Sequence, residues 1–350
     1  MFRRMCRKVP LVVLLLVVLW ICCPKPLELT ETTIVRHILR SNLYDADVGE
    51  ESGIFLKKDA TVDISNQRIL RTPTASACEK NVELLVGIVS RPQEKLRRNE
   101  IRQTWASPFT HDNAAIRILF FVGRDERKVV PEEDDVIVLD YVENYYNLTL
   151  KTLGLLTYHR DFCGTAKCLL KVDSDVVVDL GGMLELCRAS GDTPKIMGNS
   201  PGDWTPVIRD PTNKYFVPKH VYGHERYPSF IQGPAYMLSG THVSRLILDA
   251  LRETPFYHST NFRRLGEDVV FNGIARALAG VKHAHTGGFS VFGDGKLQYW
   301  CPNGSVAKPL AFHAAGAMAE FWPRFLARKA EAEQFGFFWK FVACRLWLYI

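Results

Sequence analysis

Lys171-Val172-Asp173-Ser174-Asp175 closes an apolar run, and Val176–Val178 follows it directly. Two carboxylates separated by one residue can both reach a single bound species. One can ligate a hard divalent cation while the other orients a ribose or a metal-bound water. A cation held there would bridge a diphosphate and neutralise the charge that builds as it departs. Solvated surface turns also produce Asp-x-Asp, but their flanks are polar, and here the flanks are apolar. Acids at the C-terminal end of a sheet strand sit where open α/β folds bind ligands. The alternative is a buried structural carboxylate.

The elements around this motif alternate. Residues 82–90 (VELLVGIVS) form a continuous apolar run, the pattern of a strand buried on both faces. A helix is expected over 92–105, then strands over 116–122 and 136–139. The next helix is expected over 148–160 with Asn147 as N-cap, and the acidic motif ends a strand over 168–172. This alternation predicts a three-layer α/β domain with a largely parallel central sheet. Beyond Asp179 the pattern loosens into a Pro-rich stretch at 201–228 and helices near 241–252 and 267–279. No G-x-G-x-x-G follows the first strand, and neither G-x-x-x-x-G-K-[ST] nor G-x-S-x-G is present, which argues against dinucleotide, P-loop and serine-hydrolase chemistry.

The chain has 350 residues, 47% hydrophobic and 23% charged, too apolar for a disordered protein. Its net charge is +6, yet Arg3, Arg4, Arg7, Lys8 and Lys25 stand against no acid in the first 27 residues. The remaining body is nearly neutral, which argues against a nucleic-acid partner. The apolar run at 9–23 is shorter than the ~20 residues of an average membrane span, but thin early-secretory membranes accept shorter ones. A cleaved signal peptide has the same charge-then-apolar order. Small-x-small cleavage residues are missing, however, where the run ends in Trp20-Ile21-Cys22-Cys23-Pro24. An uncleaved signal-anchor is therefore expected at 9–23, with 1–8 as a cytosolic tail and the body translocated.

Residues 24–77 read as a stem, without lasting periodicity, and 78–334 as the catalytic domain. Asn147-Leu148-Thr149 and Asn303-Gly304-Ser305 are glycosylation acceptors. Cys78, Cys163, Cys168, Cys187, Cys301 and Cys344 lie outside the anchor region, an even number that suggests disulfides in an oxidising compartment. The apolar tail at 335–350 is interrupted by Lys340 and Arg345 and makes a poor second span.

Six motifs, in order from about residue 82 to 325, resemble the β-1,3-galactosyltransferase family (glycosyltransferase family 31), Golgi type II membrane enzymes. Arg97-Arg98-x-x-Ile101-Arg102-x-Thr104-Trp105 is similar to its first motif, and Phe121-Val122-Gly123-Arg124 to the next. Asp140-x-x-x-x-Tyr145-x-Asn147-Leu148-Thr149-x-Lys151-Thr152 resembles its helix-start motif. Lys171–Asp175 stands at its D-x-D, Tyr227-Pro228 with Gly233-x-x-Tyr236-x-x-Ser239 at its acceptor-side motif, and Glu267-Asp268-Val269 at its E-D-V. There are departures. Ser174 replaces the middle acid of the usual D-D-D, Lys214-Tyr215 replaces Lys-Trp, and Gly233-Pro234-Ala235-Tyr236 replaces Gly-x-Gly-Tyr.

The resemblance implies a GT-A-like fold and an inverting transfer of a hexose, most simply galactose, from a UDP-sugar in β-1,3 linkage. The acceptor would be a glycan on glycoprotein or glycolipid, the cofactor Mn²⁺, and the site the Golgi lumen. It implies Asp175 and His313 as metal ligands, with His283 and His285 as competing candidates for the histidine. Asp173 would contact the nucleotide ribose or metal waters. Asp268 would be the general base that takes the acceptor proton, with Glu267 as runner-up and helix capping as the alternative role of the pair. Arg102 would hold the diphosphate or pair with an acid. Lys171 would approach a phosphate or form a strand-flanking salt bridge. Tyr227 and Tyr236 would stack on acceptor sugars or pack internally, and Trp105 belongs to the core. Rival readings are a β-1,3-N-acetylglucosaminyl- or N-acetylgalactosaminyltransferase, a non-catalytic Golgi glycan-binding relative, and a secreted protein.

Overall fold

The computed structural model describes residues 30–41, 68–73, 78, 81–109, 115–125, 133–219, 221–254, 257, 265–290, 310–314 and 318–334. The expected anchor at 9–23, Asn303, Cys301, Cys344 and the tail at 335–350 lie outside them. Among the described residues no helix is long and apolar enough to cross a membrane.

In chain order the strands are β1 (Ile69–Arg71), β2 (Leu84–Val89), β3 (Ile116–Arg124), β4 (Val136–Val142), β5 (Cys168–Asp173), β6 (Val176–Val178), β7 (Lys195–Gly198), β8 (Ala235–Ser239), β9 (Lys282–His285), β10 (Phe289–Ser290) and β11 (Ala311–His313). The helices are α1 (Glu31–Ser41), α2 (Lys95–Gln103), α3 (Leu148–Phe162), α4 (Leu180–Ala189), α5 (Val243–Arg252), α6 (Val269–Ala275), α7 (Arg276–Leu278) and α8 (Met318–Gln334). The main sheet has the order β1-β4-β3-β2-β5-β8-β7-β9. Strands β4, β3, β2 and β5 are parallel neighbours. β8 runs against both β5 and β7, β9 is parallel to β7, and β1 is antiparallel to β4. The sheet is thus mixed but mostly parallel, as the apolar runs predicted.

Alternate side chains of the central strands point into two separate cores. Leu85, Phe121, Leu139 and Leu169 pack with α3, α5 and α6 on one face. Leu84, Val86, Phe120 and Leu170 pack with α2, α4 and α8 on the other. Burial on both faces is why these strands read as unbroken apolar runs. A second sheet, β10-β11-β6, begins immediately after the acidic motif, so the chain leaves one sheet for the other at Asp173-Ser174-Asp175. Cys78 is bonded to Cys163 and Cys168 to Cys187. These loops of 85 and 19 residues restrict the unfolded chain by about 3–5 kcal/mol each.

The expected stem at 24–77 is corrected. Val35 and Ile38 of α1 are buried in the main core, with Ile34 and Leu39 packed against it. Thr32 Oγ1 donates to the Ala277 carbonyl at 2.7 Å, and Glu31 pairs with the buried Arg276 guanidinium. β1 extends the sheet edge. The domain therefore includes elements well before Cys78. The apolar stripe of α1 covers only two turns, too short to stand out from the surrounding polar sequence.

Deleting everything before Cys78 should consequently destabilise the protein relative to deletion up to Thr30. The loss of Val35, Ile38 and the Arg276 partner should amount to roughly 3–5 kcal/mol. Thermal unfolding of the two truncated proteins checks this; equal midpoints would place α1 outside the domain.

Candidate active site

The acidic motif sits at one rim of the sheet. Asp173 lies level with Val89 at the C-terminal end of β2. Its backbone N–H donates to Pro234 O at 2.9 Å, and Ser174 N–H donates to Val89 O at 3.1 Å. Beyond the turn, His313 of β11 faces Val176 of β6, and Ala314 N–H donates to Asp175 O at 2.7 Å. This pairing brings Asp175 and His313 together, Oδ2 to Nε2 at 3.1 Å. The other atom of each, Asp175 Oδ1 and His313 Nδ1, is buried with no hydrogen-bond partner among the described residues. Burial pushes the Asp175 carboxyl up, but the hydrogen bond and charge of His313 outweigh it and hold the group below its ordinary value. The same bond raises His313, against its burial. No cluster of three or more His, Cys, Asp or Glu suited to a metal occurs among the described residues. His283 and His285 lie on β9, three strands from β5, and are engaged with Phe230 O and Ser200 N.

Of the two roles expected of Lys171, the structure shows the salt bridge, as a buried pin. It is 1% exposed. Its ammonium reaches Asp173 Oδ1 at 2.6 Å, Gly233 O at 2.7 Å and Glu267 Oε1 at 3.0 Å. Two hydrogen bonds and an ion pair enclose the ammonium, and its burial closes it off from a phosphate. Burial works against the ammonium, but Asp173 and Glu267 outweigh it and raise its pKa. Glu267 is also buried, and its Oε2 accepts from Tyr236 OH at 2.9 Å and Thr152 Oγ1 at 3.1 Å. Its Oε1 meets the Lys171 ammonium as an ion pair and makes no hydrogen bond among the described residues.

Asp268 is one residue further and differently held. Its Oδ1 accepts from Val269 N–H at 2.9 Å and its Oδ2 from Gly233 N–H at 3.0 Å. It caps its own helix as well as facing the rim. Residues of α6 are wound with i→i+5 bonds, a rare form found mostly at functional sites. Burial, then the Glu267 charge, raise the Asp268 carboxyl to about 7, against the two backbone N–H groups and Lys171. Asp173 rises to about 6, through burial first, then Asp175 and Glu267, with Lys171 opposing. Gly233 links the two halves, giving its carbonyl to Lys171 and its N–H to Asp268. A Cβ there would sit 3.2 Å from Glu267 Oε1 and 3.4 Å from Asp268 Oδ2, a tight fit that both carboxylates would have to yield to.

Arg102 makes a two-pronged ion pair with Asp135, at 2.8 and 2.6 Å, and reaches Glu133 at 3.2 Å, the acid pairing that was one of its two expected roles. Tyr236, 1% exposed on a central strand, and Tyr227, 7% exposed and packed edge-on to Phe230, are internal and offer no sugar platform. Asn147 is 4% exposed and its amide donates to Val142 O at 2.7 Å. A glycan on that nitrogen is incompatible with this fold, and the side chain makes no capping bond to α3. Two charged residues escaped the sequence reading: Lys151, buried on Ser90 O and Glu143, and Glu94, bonded to Ser174. Only the helix-start motif hinted at Lys151.

The galactosyltransferase family model matches residues 96–286. The chain belongs to this family. The match includes Asp173, Asp175 and Asp268 and ends before His313. Beta-1,3-galactosyltransferase 1 of Mus musculus is 29% identical over 197 residues, which cover 52% of this chain and 58% of that protein. Beta-1,3-galactosyltransferase 5 of Pan paniscus is 31% identical over 215 residues, 59% of this chain and 68% of that protein. The match thus spans 58% of the length of the first of these relatives. Among solved structures, galactosyltransferase LgtC in complex with donor and acceptor sugar analogs aligns at 12% identity, with a TM-score of 0.38, over 72% of this chain and 97% of that one.

Replacing Lys171 by methionine strands two carboxylates without a counter-charge. Urea unfolding of Lys171→Met should show a loss of about 3–5 kcal/mol; a change under about 1 kcal/mol would contradict the pin. Peptide mapping of the folded protein should find Asn147 unmodified.

Proposed function

We propose that the chain is an inverting glycosyltransferase of GT-A-like fold that moves galactose from a UDP-sugar to a glycan acceptor in β-1,3 linkage. One observation carries this reading. Asp173, Asp175 and His313 share a rim with Asp268, and the two groups are tied together through Lys171, Glu267 and Gly233.

The residues fit a divalent cation such as Mn²⁺. Asp175 Oδ2 and His313 Nε2 face each other at 3.1 Å, and a carboxylate oxygen beside an imidazole nitrogen is a donor set such cations accept. Asp175 and His313 would hold the ion, which when bound supplies charge neutralisation to a departing diphosphate. Asp173, with one oxygen on Lys171, keeps the other for a ribose hydroxyl. Asp268 takes the acceptor proton as the hydroxyl attacks opposite the leaving group. Each of its oxygens holds one backbone N–H, which fixes its aim and leaves a lone pair for the acceptor. A carboxyl near 7 is matched to proton abstraction at neutral pH. The disulfides fit an oxidising lumen, which supports placing the domain in the Golgi behind a type II anchor at 9–23.

Release of UDP from a panel of UDP-sugars with MnCl₂, followed by an acceptor screen, tests the assignment; turnover of no donor would sink it. Asp175→Asn should lose both UDP–Mn²⁺ affinity and turnover. Asp268→Asn should keep the affinity and lower kcat by roughly 10²–10⁴-fold. The base works deprotonated, so kcat/KM should rise with pH through about 7 and lose that limb in Asp268→Asn. A native profile flat between pH 6 and pH 8, roughly one unit either side of that value, would contradict Asp268 as the base.

A further inference from the structure

We propose that Glu94, at the start of α2, and Ser174 form one positioning pair for the nucleotide end of the site. This rests on the glycosyltransferase reading above. The residue between Asp173 and Asp175 is a serine. Its hydroxyl is not idle: Ser174 Oγ donates to Glu94 Oε2 at 3.1 Å. The same oxygen accepts from Arg91 N–H at 2.9 Å and Ser90 Oγ at 3.1 Å. Glu94 therefore bridges the loop after β2 to the turn after β5, the two loops that leave the rim side by side.

The bridge is built from below. Arg98 donates to Arg91 O at 2.6 Å and to Ser90 Oγ at 3.3 Å, and Lys151 donates to Ser90 O at 2.6 Å. Burial lowers the proton affinity of Lys151, and Glu143, then Glu94 and Asp173, oppose it in part. A carboxylate set among these groups is held in place. An aspartate at 174 would bring a second carboxylate against it with no proton between them. A serine instead donates, keeps the negative charge beside the turn, and fixes the residue on which Asp173 and Asp175 both hinge.

The test uses the full chain, UDP with MnCl₂, and a double-mutant cycle read by calorimetry, by KM against kcat, and by thermal unfolding. Ser174→Asp should weaken UDP–Mn²⁺ binding roughly 10- to 100-fold, the range for a lost hydrogen bond to a charged group. Glu94→Gln alone should also weaken it. The pair Glu94→Gln with Ser174→Asp restores one charge and one hydrogen bond, now donated by the glutamine amide. It should recover to within about three-fold of the native affinity, far from the product of the single effects. Simple additivity, or native affinity in Ser174→Asp, overturns the proposal. Coupling seen in unfolding but not in affinity or KM reduces the bond to a structural one and also overturns it. Failure of the native chain to bind UDP with Mn²⁺ would overturn the glycosyltransferase reading itself and this pairing with it; native binding with additive variants sinks the pairing alone.

Discussion

One buried ammonium holds the site together. Lys171 lies on the sheet face that packs against α3 and α6, and its three oxygens come from three distant segments: the acidic strand, the Gly233 turn and the start of the base helix. An unpaired charge in that position would be strongly destabilising, and so would either carboxylate left alone. Strand β5, the turn before β8 and the helix start must therefore assemble together. The separation between the acids on one side of the rim and Asp268 on the other follows from this single point.

The helix that begins at Asp268 is secured by a second buried cation at its far end. Arg276 donates to Asn272 O, Val281 O and Ser229 O and pairs with Glu31 of α1. Asn272, one turn earlier, donates to Ile231 O. The helix that begins at Asp268 is thus anchored to Lys171 at its start and to α1 at its end. Between these anchors its backbone is wound in the wider i→i+5 form. Such a segment has weaker intrinsic stability than α-helix, so its geometry depends on what grips its ends. That dependence is the physical reason an N-terminal helix remote from the rim belongs to the catalytic body.

The central strands and the helices between them were legible because burial on both faces leaves an unbroken apolar run. The short elements were not: α1 has two turns of stripe, and β6, β10 and β11 pair across long sequence gaps. At the site, Asp173, Asp175, His313 and Asp268 were named through motifs of local chain and the resemblance they carry. For Lys171, Tyr227, Tyr236 and Arg102 two roles stayed open, because their environments are made by residues far along the chain. A lysine at a strand end reads as a rim cation until Gly233 and Glu267 close over it. Asn147 shows the same limit, since a sequon says nothing about whether its amide is already donating to Val142.

The arrangement sets two nearby carboxylates to opposite proton affinities. Asp175 faces an imidazole that can carry charge, and this partner overcomes burial and favours its ionised form. Among the described residues Asp268 makes no ion pair with a cation. Lys171, which could have served it, is bonded instead to Glu267, and Glu267 adds negative charge beside Asp268. Two backbone N–H groups offset only part of that, leaving the carboxyl near 7. Environments that push two acids apart in this way divide their chemistry: one remains an anion fit to hold a cation, and the other can gain and lose a proton near neutral pH. Had Lys171 bonded Asp268 directly, both would be permanent anions and neither would accept a proton. The buried Glu267 is what keeps the cation from the base while keeping it inside the fold.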